Sequence, residues 1–348
     1  MTCEAALAAP AGGHDAIYWF MLRASVTLLA ISLLTSCAGA RHSSDSVTGA
    51  VPIAEVQWHT KIDRDHALVG RIWDGRSGTF VDRATLVDAI VAARFVLLGE
   101  KHDNEDHHAL QAVLLAALIA HGRKPALVME MIDVDQNEAL AAQRAKTPRD
   151  SDALAKAVRW EERHWPPFAF YRPIVQHALD AELPIFGGNY PNAAIKATFA
   201  PGVVLDADHL DDLPAPLPDP LRGSLERELA QSHCGAMPSS MIPAMVIAQR
   251  KRDESMASLL AAHEKPSGAV LIAGNGHVRA DRGVPYALAR RTKGSLVTVA
   301  MMEVVKGQVT PAAYVEAPTQ APPYDFVWFT PRVDDGDPCA AMTTVKAP

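Results

Sequence analysis

Four short apolar runs constrain the fold of this chain more than any other feature. RFVLLGE (Arg94 to Glu100), PALVMEM (Pro125 to Met131), LPIFGGN (Leu183 to Asn189) and GAVLIAGNGH (Gly268 to His277) end in glycine or a carboxylate and are too short for two-sided alternation. Stretches of helical spacing separate them, such as Glu105 to His121, where Leu110, Val113, Leu114 and Leu118 repeat on one face. Apolar strands alternating with helices predict an α/β fold, a parallel sheet buried on both faces. SLVTVAMME (Ser295 to Glu303) and DFVWFT (Asp325 to Thr330) read as later strands of that sheet. Upstream, Leu68 to Trp73 and Thr79 to Val81 straddle DGRSG and read as a hairpin or a pair of edge strands. A helix over Ala84 to Ala93 follows, with Asp82 as its cap. Asp133 to Phe170 and Leu225 to Ala262 are helical with little strand signal, and are expected to pack together as a smaller helical cap domain beside the sheet, joined by the proline-studded connection Asp206 to Gly223.

In parallel sheets functional groups collect where strands end. GEKHDNEDHH follows the first run, Glu130 follows Met129, and GNGHVRADRG follows Ala273. Two of these turns share the form G-x-x-H, Gly99 to His102 and Gly274 to His277. His102 and His277 with Glu100 and Glu130 are enough ligands for a divalent metal with an open position for water. The same groups serve equally without metal, a carboxylate orienting a histidine that takes a proton from water, or as ordinary caps and hydrogen-bonding residues. His107 and His108 lie in the first turns of a helix and are expected only in supporting roles. A second dense stretch, RWEERHWPPFAFYRPI (Arg159 to Ile174), packs Trp160, Trp165, Phe168, Phe170 and Tyr171 with His164 and three arginines, although aromatic residues are 6% of the chain. It suits either a hydrophobic junction or a platform for a large planar ligand, with rings stacking on its faces, a histidine or tyrosine on a central iron and arginines on carboxylates.

The amino-terminal region carries a different signal. MLRASVTLLAISLLTSCAGA (Met21 to Ala40) has a positive residue, Arg23, then an apolar core from Ala24 to Leu34 that is too short to cross a bilayer as a helix, then LTSC. The pattern resembles a bacterial lipoprotein signal, which implies cleavage before Cys37 and lipidation of that cysteine. Residues 1–20 carry Glu4 and Asp15 and no lysine or arginine, so translation is expected to begin at Met21; the alternative is a signal-anchor helix over Tyr18 to Leu34, interrupted by Arg23. Several acyl chains at roughly 0.8 kcal/mol per buried CH2 hold such a chain to a membrane surface. An oxidising compartment then permits a disulfide between Cys234 and Cys339, the cysteines left after Cys37 is lipidated; the alternative is that His233 and Cys234 form half of a metal or catalytic centre. The net charge of −7 gives no basic surplus for a nucleic-acid backbone. The expected organisation is a signal region over 1–36, a tether over 37–57, a sheet domain from 58–132, 171–224 and 263–339, the helical cap from 133–170 and 225–262, and a tail over 340–348.

VLLGEKHDNEDHHALQ (Val96 to Gln111), ERHWPPFAFYRPI (Glu162 to Ile174), HCGAMPSSMIPAMVIAQRKRDESMA (His233 to Ala257) and AGNGHVRADRGVPYAL (Ala273 to Leu288), with LVGRIWD before them, resemble the ChaN-like haem-binding uptake lipoproteins of the Tiki superfamily. The resemblance implies haem as cofactor, a role in haem or iron acquisition at the periplasmic side of the bacterial outer membrane near a transporter, and haem held between two protomers with tyrosine ligation. Tyr171, His164 and Arg172 are the residues assigned to it. The wider superfamily includes metal-dependent proteases and esterase-like hydrolases, which would place catalysis on Glu100, His102, Glu130 and His277. Three readings therefore stand: a membrane-anchored haem carrier, a metal-dependent hydrolase of a peptide or ester, and a structural lipoprotein with a degenerate cleft.

Overall fold

The computed structural model describes residues 56–199, 216–336 and 339. The expectations on Cys37, Met21, the signal region and the carboxyl-terminal tail lie outside the described residues. Each apolar run is a strand within two residues of its expected bounds at almost every end. The hairpin is β1 (Ile72–Asp74) and β2 (Thr79–Val81), and the buried strands are β3 (Phe95–Glu100), β4 (Ala126–Asp133), β5 (Ile185–Asn189), β6 (Ala269–Gly274), β7 (Leu296–Glu303) and β8 (Phe326–Thr330). They form one eight-stranded sheet in the order β2-β1-β8-β7-β3-β6-β4-β5. The six strands from β8 to β5 pair in parallel, whereas β1 pairs antiparallel with both β2 and β8. The sheet is therefore mixed, its antiparallel part confined to the hairpin at one edge. Asp74 shapes that hairpin by accepting from Arg76 N at 2.8 Å and Ser77 N at 3.2 Å, and Gly78 takes the left-handed φ of +66° that closes the turn.

Alternate residues of β3 divide the core. Val96 and Leu98 face α1 (Arg83–Ala92), α2 (Glu105–Ala120) and α5 (Phe168–Asp180), while Phe95 and Leu97 face α8 (Ile242–Ala262) and α10 (Val284–Leu288). Asp82 caps α1 by accepting from Thr85 N, and Asn104 caps α2 by accepting from Asp106 N. The first helical segment supplies α3 (Asn137–Lys146) and α4 (Ser151–Ala157), whose Leu140 and Leu154 join the α1/α2/α5 face. After α6 (Asn192–Thr198), the second supplies α7 (Asp219–Ser232) and α8, with Met256, Ala257 and Leu260 on the opposite face. The two segments thus contribute buried residues to different faces of the sheet, and Trp165 from the first and Met245 from the second line the same cleft.

Cys234 and Cys339 form a disulfide across 105 residues of chain, which restricts the unfolded ensemble by about 4 to 5 kcal/mol on the loop-closure argument. The pairing excludes the alternative in which Cys234 shares a metal or catalytic centre with His233. No helix among the described residues is long and apolar enough to cross a membrane.

Candidate functional site

β3, β6 and β4 are neighbours; Glu100 lies opposite Gly274 at the carboxyl ends of β3 and β6, and Glu130, in the second half of β4, reaches Gly274 N–H with its side chain. In place of the expected longer run to His277, β6 stops at Gly274 and the chain turns into α9 (Asn275–Val278), which returns His277 toward Glu130. A cleft of about 920 Å³ opens over these strand ends, floored by Glu100, His102, Glu130 and His277 and walled by Trp165, Met245, Met301, Met302 and Tyr314.

Glu100 is buried at the centre of the first turn. Its Oε1 accepts from His102 Nδ1 at 2.7 Å and from the Tyr171 hydroxyl at 2.6 Å, and its Oε2 lies 3.2 Å from His108 Nδ1. Burial opposes its ionisation, yet His108 and His102 hold it well below the usual carboxylate range. His108 donates from Nε2 to the His102 carbonyl at 2.8 Å and tilts against the Tyr171 ring, so it fixes both the turn and the carboxylate. His107 does something different. Its Nδ1 accepts from Lys101 N–H at 2.8 Å and its Nε2 donates to Thr330 Oγ1 at 2.8 Å. Burial and the neighbouring His108 push it down to about 3, a neutral imidazole that ties the turn to β8.

The second turn is built from behind. His277 Nδ1 donates to Asp253 Oδ1 at 2.7 Å, its Nε2 lies 3.3 Å from Glu130 Oε1, and the Gln249 amide nitrogen lies 3.2 and 3.3 Å from its two ring nitrogens. Burial works against its charge, but Glu130 and Asp253 raise it to about 10. Glu130 also accepts from Gly274 N–H at 2.7 Å; despite burial, His277 and His102 bring it down to about 2. Gly274 lets the His102 ring come close, since a β-carbon there would stand 3.0 Å from His102 Nε2 and the ring would have to shift by a few tenths of an ångström. His102 lies at the cleft surface with its side chain 37% exposed and its ring edge-on to Trp165; Glu130 and Glu100 overcome its partial burial and raise it to about 9.

The four residues expected at one site, Glu100, His102, Glu130 and His277, are thus gathered at the cleft floor. Among the described residues no group of three or more histidine, cysteine or acidic side chains is arranged to hold a metal ion. Both imidazoles are paired with carboxylates that raise them, so a metal would have to displace the proton each one holds near neutral pH.

The residues assigned to haem are not gathered. Tyr171 is fully buried, with its hydroxyl given to Glu100, and it packs with Trp160 and Phe168 in the core. His164 is exposed beside a separate polar hollow lined by Asp133, Arg163 and Lys196, and Arg172 is exposed and paired with Asp152 at 2.7 Å. From the aromatic stretch only Trp165 lines the cleft, so most of that stretch is a hydrophobic junction.

Asp253, Gln249 and the methionines at the end of β7 were not singled out from sequence. Asp253 carried a readable signal: it sits with Val246, Met256, Ala257 and Leu260 on the buried stripe of α8, where an acid needs a partner.

Residues 86–288, more than half of the chain, match the family model described as haem-binding uptake, Tiki superfamily, ChaN. Among solved structures the chain is similar to ChaN of Campylobacter jejuni, described with cofacial heme binding, at 19% identity and a TM-score of 0.57; the match covers 74% of this chain and 95% of that one. This likeness speaks to the fold. The type III effector HopBA1 (12% identity, TM-score 0.41, covering 71% of this chain and 92% of that one) and the erythromycin esterase EreC (16%, 0.36, 63% and 72%) are too distant to carry an argument. No curated protein matches the chain. Parallel strands whose ends gather two G-x-x-H turns under one cleft, together with a match over residues 86–288, place the chain in the ChaN haem-binding uptake family of the Tiki superfamily.

Proposed function

We propose that this chain captures haem in the cleft over β3, β6 and β4 and serves haem or iron uptake as a lipid-anchored protein. The observation that carries the reading is the lining of the cleft: Trp165, Met245, Met302 and Tyr314 offer aromatic and thioether contact for a planar apolar ligand, above a floor of ion-paired polar groups. Membership of the haem-binding uptake family and the heme binding described for the Campylobacter jejuni relative support it. His102 is the imidazole we assign to the iron, because it stands at the cleft surface beside Trp165. To ligate, it has to lose the proton that Glu130 and Glu100 hold on it, so capture through His102 strengthens as pH rises toward about 9.

Phe199 and Val305 line the cleft and are 37% and 53% exposed, an apolar rim that a second copy would cover when haem is shared between protomers. Lipid on Cys37, on the periplasmic side of the outer membrane, would keep the cleft near an uptake transporter and raise its effective concentration there.

Hemin titrated into the full chain in detergent is expected to give a saturable Soret change, moved in wavelength by His102→Ala and abolished by Ala248→Trp, which fills the cleft wall. Hemin that never saturates, or that binds equally to the filled cleft, overturns the reading.

A further inference from the structure

α8 turns one stripe toward the cleft, Met245, Ala248, Gln249 and Arg252, at the i, i+3, i+4 and i+7 spacing of a single helix face. Met245 and Ala248 are apolar wall, and Gln249 touches His277. Arg252 has no comparable role. Among the described residues it makes no ion pair and no hydrogen bond, and its Nε is shielded from solvent.

Arginines on the surrounding elements behave otherwise. Arg282 pairs with Glu228, Arg279 with Asp281 at 2.7 Å, and Arg291 with Glu254 at 2.5 Å. The acids that line the cleft are equally committed. Glu100 and Glu130 hold the histidines, Glu228 holds Arg282, and Glu303 takes Lys101 at 3.4 Å and the Asn104 amide at 2.9 Å. Among the described residues, the cleft wall therefore presents a planar, permanently charged donor fork with no acid paired to it. A guanidinium with a shielded, unsatisfied Nε–H is matched by a carboxylate, which accepts two parallel N–H bonds in one plane.

We propose that Arg252 receives a carboxylate of the bound ligand, so that the cleft selects flat apolar molecules with an acidic edge, such as a metalloporphyrin with free propionates. This rests on the haem reading. It adds the chemical feature by which the cargo is oriented: ring against Trp165 and the methionines, acidic edge toward Arg252.

The test compares hemin with hemin dimethyl ester, whose two carboxylates are masked, on the full chain in detergent. Wild type is expected to bind hemin about tenfold more tightly than the ester, the scale of one charge-assisted fork. Arg252→Gln is expected to lose about tenfold for hemin while its affinity for the ester stays within about twofold, and Arg252→Lys to recover part of the loss. The ester serves as the internal control for folding. Equal weakening of both ligands by Arg252→Gln, or equal affinity of wild type for the two, overturns the assignment of Arg252 and leaves haem capture standing. Failure of wild type to bind either ligand overturns the haem reading itself.

Discussion

The two G-x-x-H turns have the same form, the same place at the end of a buried parallel strand, and opposite surroundings. His102 stands at the cleft surface and its supporting carboxylate, Glu100, lies behind it in the core, shared with His108 and Tyr171. His277 is 5% exposed, and its carboxylates lie on both sides, Asp253 from α8 and Glu130 from β4. One turn presents its histidine to the cleft, and the other uses its histidine to bind three elements together. A short motif after a strand therefore fixes where an imidazole starts, while the elements packed around it decide whether it is available.

Breaking the first turn is expected to give the largest effect. Glu100→Ala leaves the Tyr171 hydroxyl buried without its acceptor, takes the buried charge partner from His108 and removes the support of His102, a loss of about 3 to 5 kcal/mol of stability. Asp253→Ala is expected to cost less, because Glu130 stays 3.3 Å from His277 Nε2. Urea melts of the two variants check the order. A costlier Asp253→Ala would mean that the second turn, rather than the first, is the keystone of the site.

Tyr171→Phe tests the same turn more gently. It removes one donor, at 2.6 Å, from a buried carboxylate and is expected to cost about 1.5 to 3 kcal/mol. Since the hydroxyl is buried against Glu100, the Soret band of the hemin complex is expected to keep its position in this variant. A displaced band would show that Tyr171 reaches the iron, in line with the tyrosine ligation that the family resemblance implies.

The sheet was legible because each parallel strand, covered on both faces, is a nearly continuous apolar run, and the glycine or carboxylate that ends it marks the edge where helices begin. Glu100, His102, Glu130 and His277 were legible for the same reason. The antiparallel pairing of β1 was not, because its partner, Phe326–Thr330, lies far along the chain and nothing local records the direction of approach. The aromatic stretch showed its density but not its destination. Phe168, Tyr171, Val175 and Ala178 follow the core-facing spacing of α5, and Arg172 falls off that stripe and is exposed, so a helical reading of those residues places Tyr171 inside. Asp253 and Arg252 lay within an ordinary-looking charged helix, where only the three-dimensional neighbours separate a buried acid from a solvated one.

The gentlest probe compares the two imidazoles by titration. NMR of the His102 and His277 side chains is expected to place them at about 9 and about 10, both above the ordinary 6.5. Because folding raises both values, their contribution to stability is complete below about 6.5 and is lost as pH rises through 9 and 10. His107, pushed down to about 3, works in the other direction: its contribution is complete above about 6.5 and is lost as pH falls toward 3. These three histidines together therefore favour the fold most near pH 6.5. Asp253→Asn separates the turns, since it removes one of the carboxylates that raise His277 and so lowers its value. His102 is expected to hold its value or rise slightly, because a less protonated His277 opposes its charge less. If both values fell together, the two turns would be one coupled unit rather than an open histidine beside a structural one.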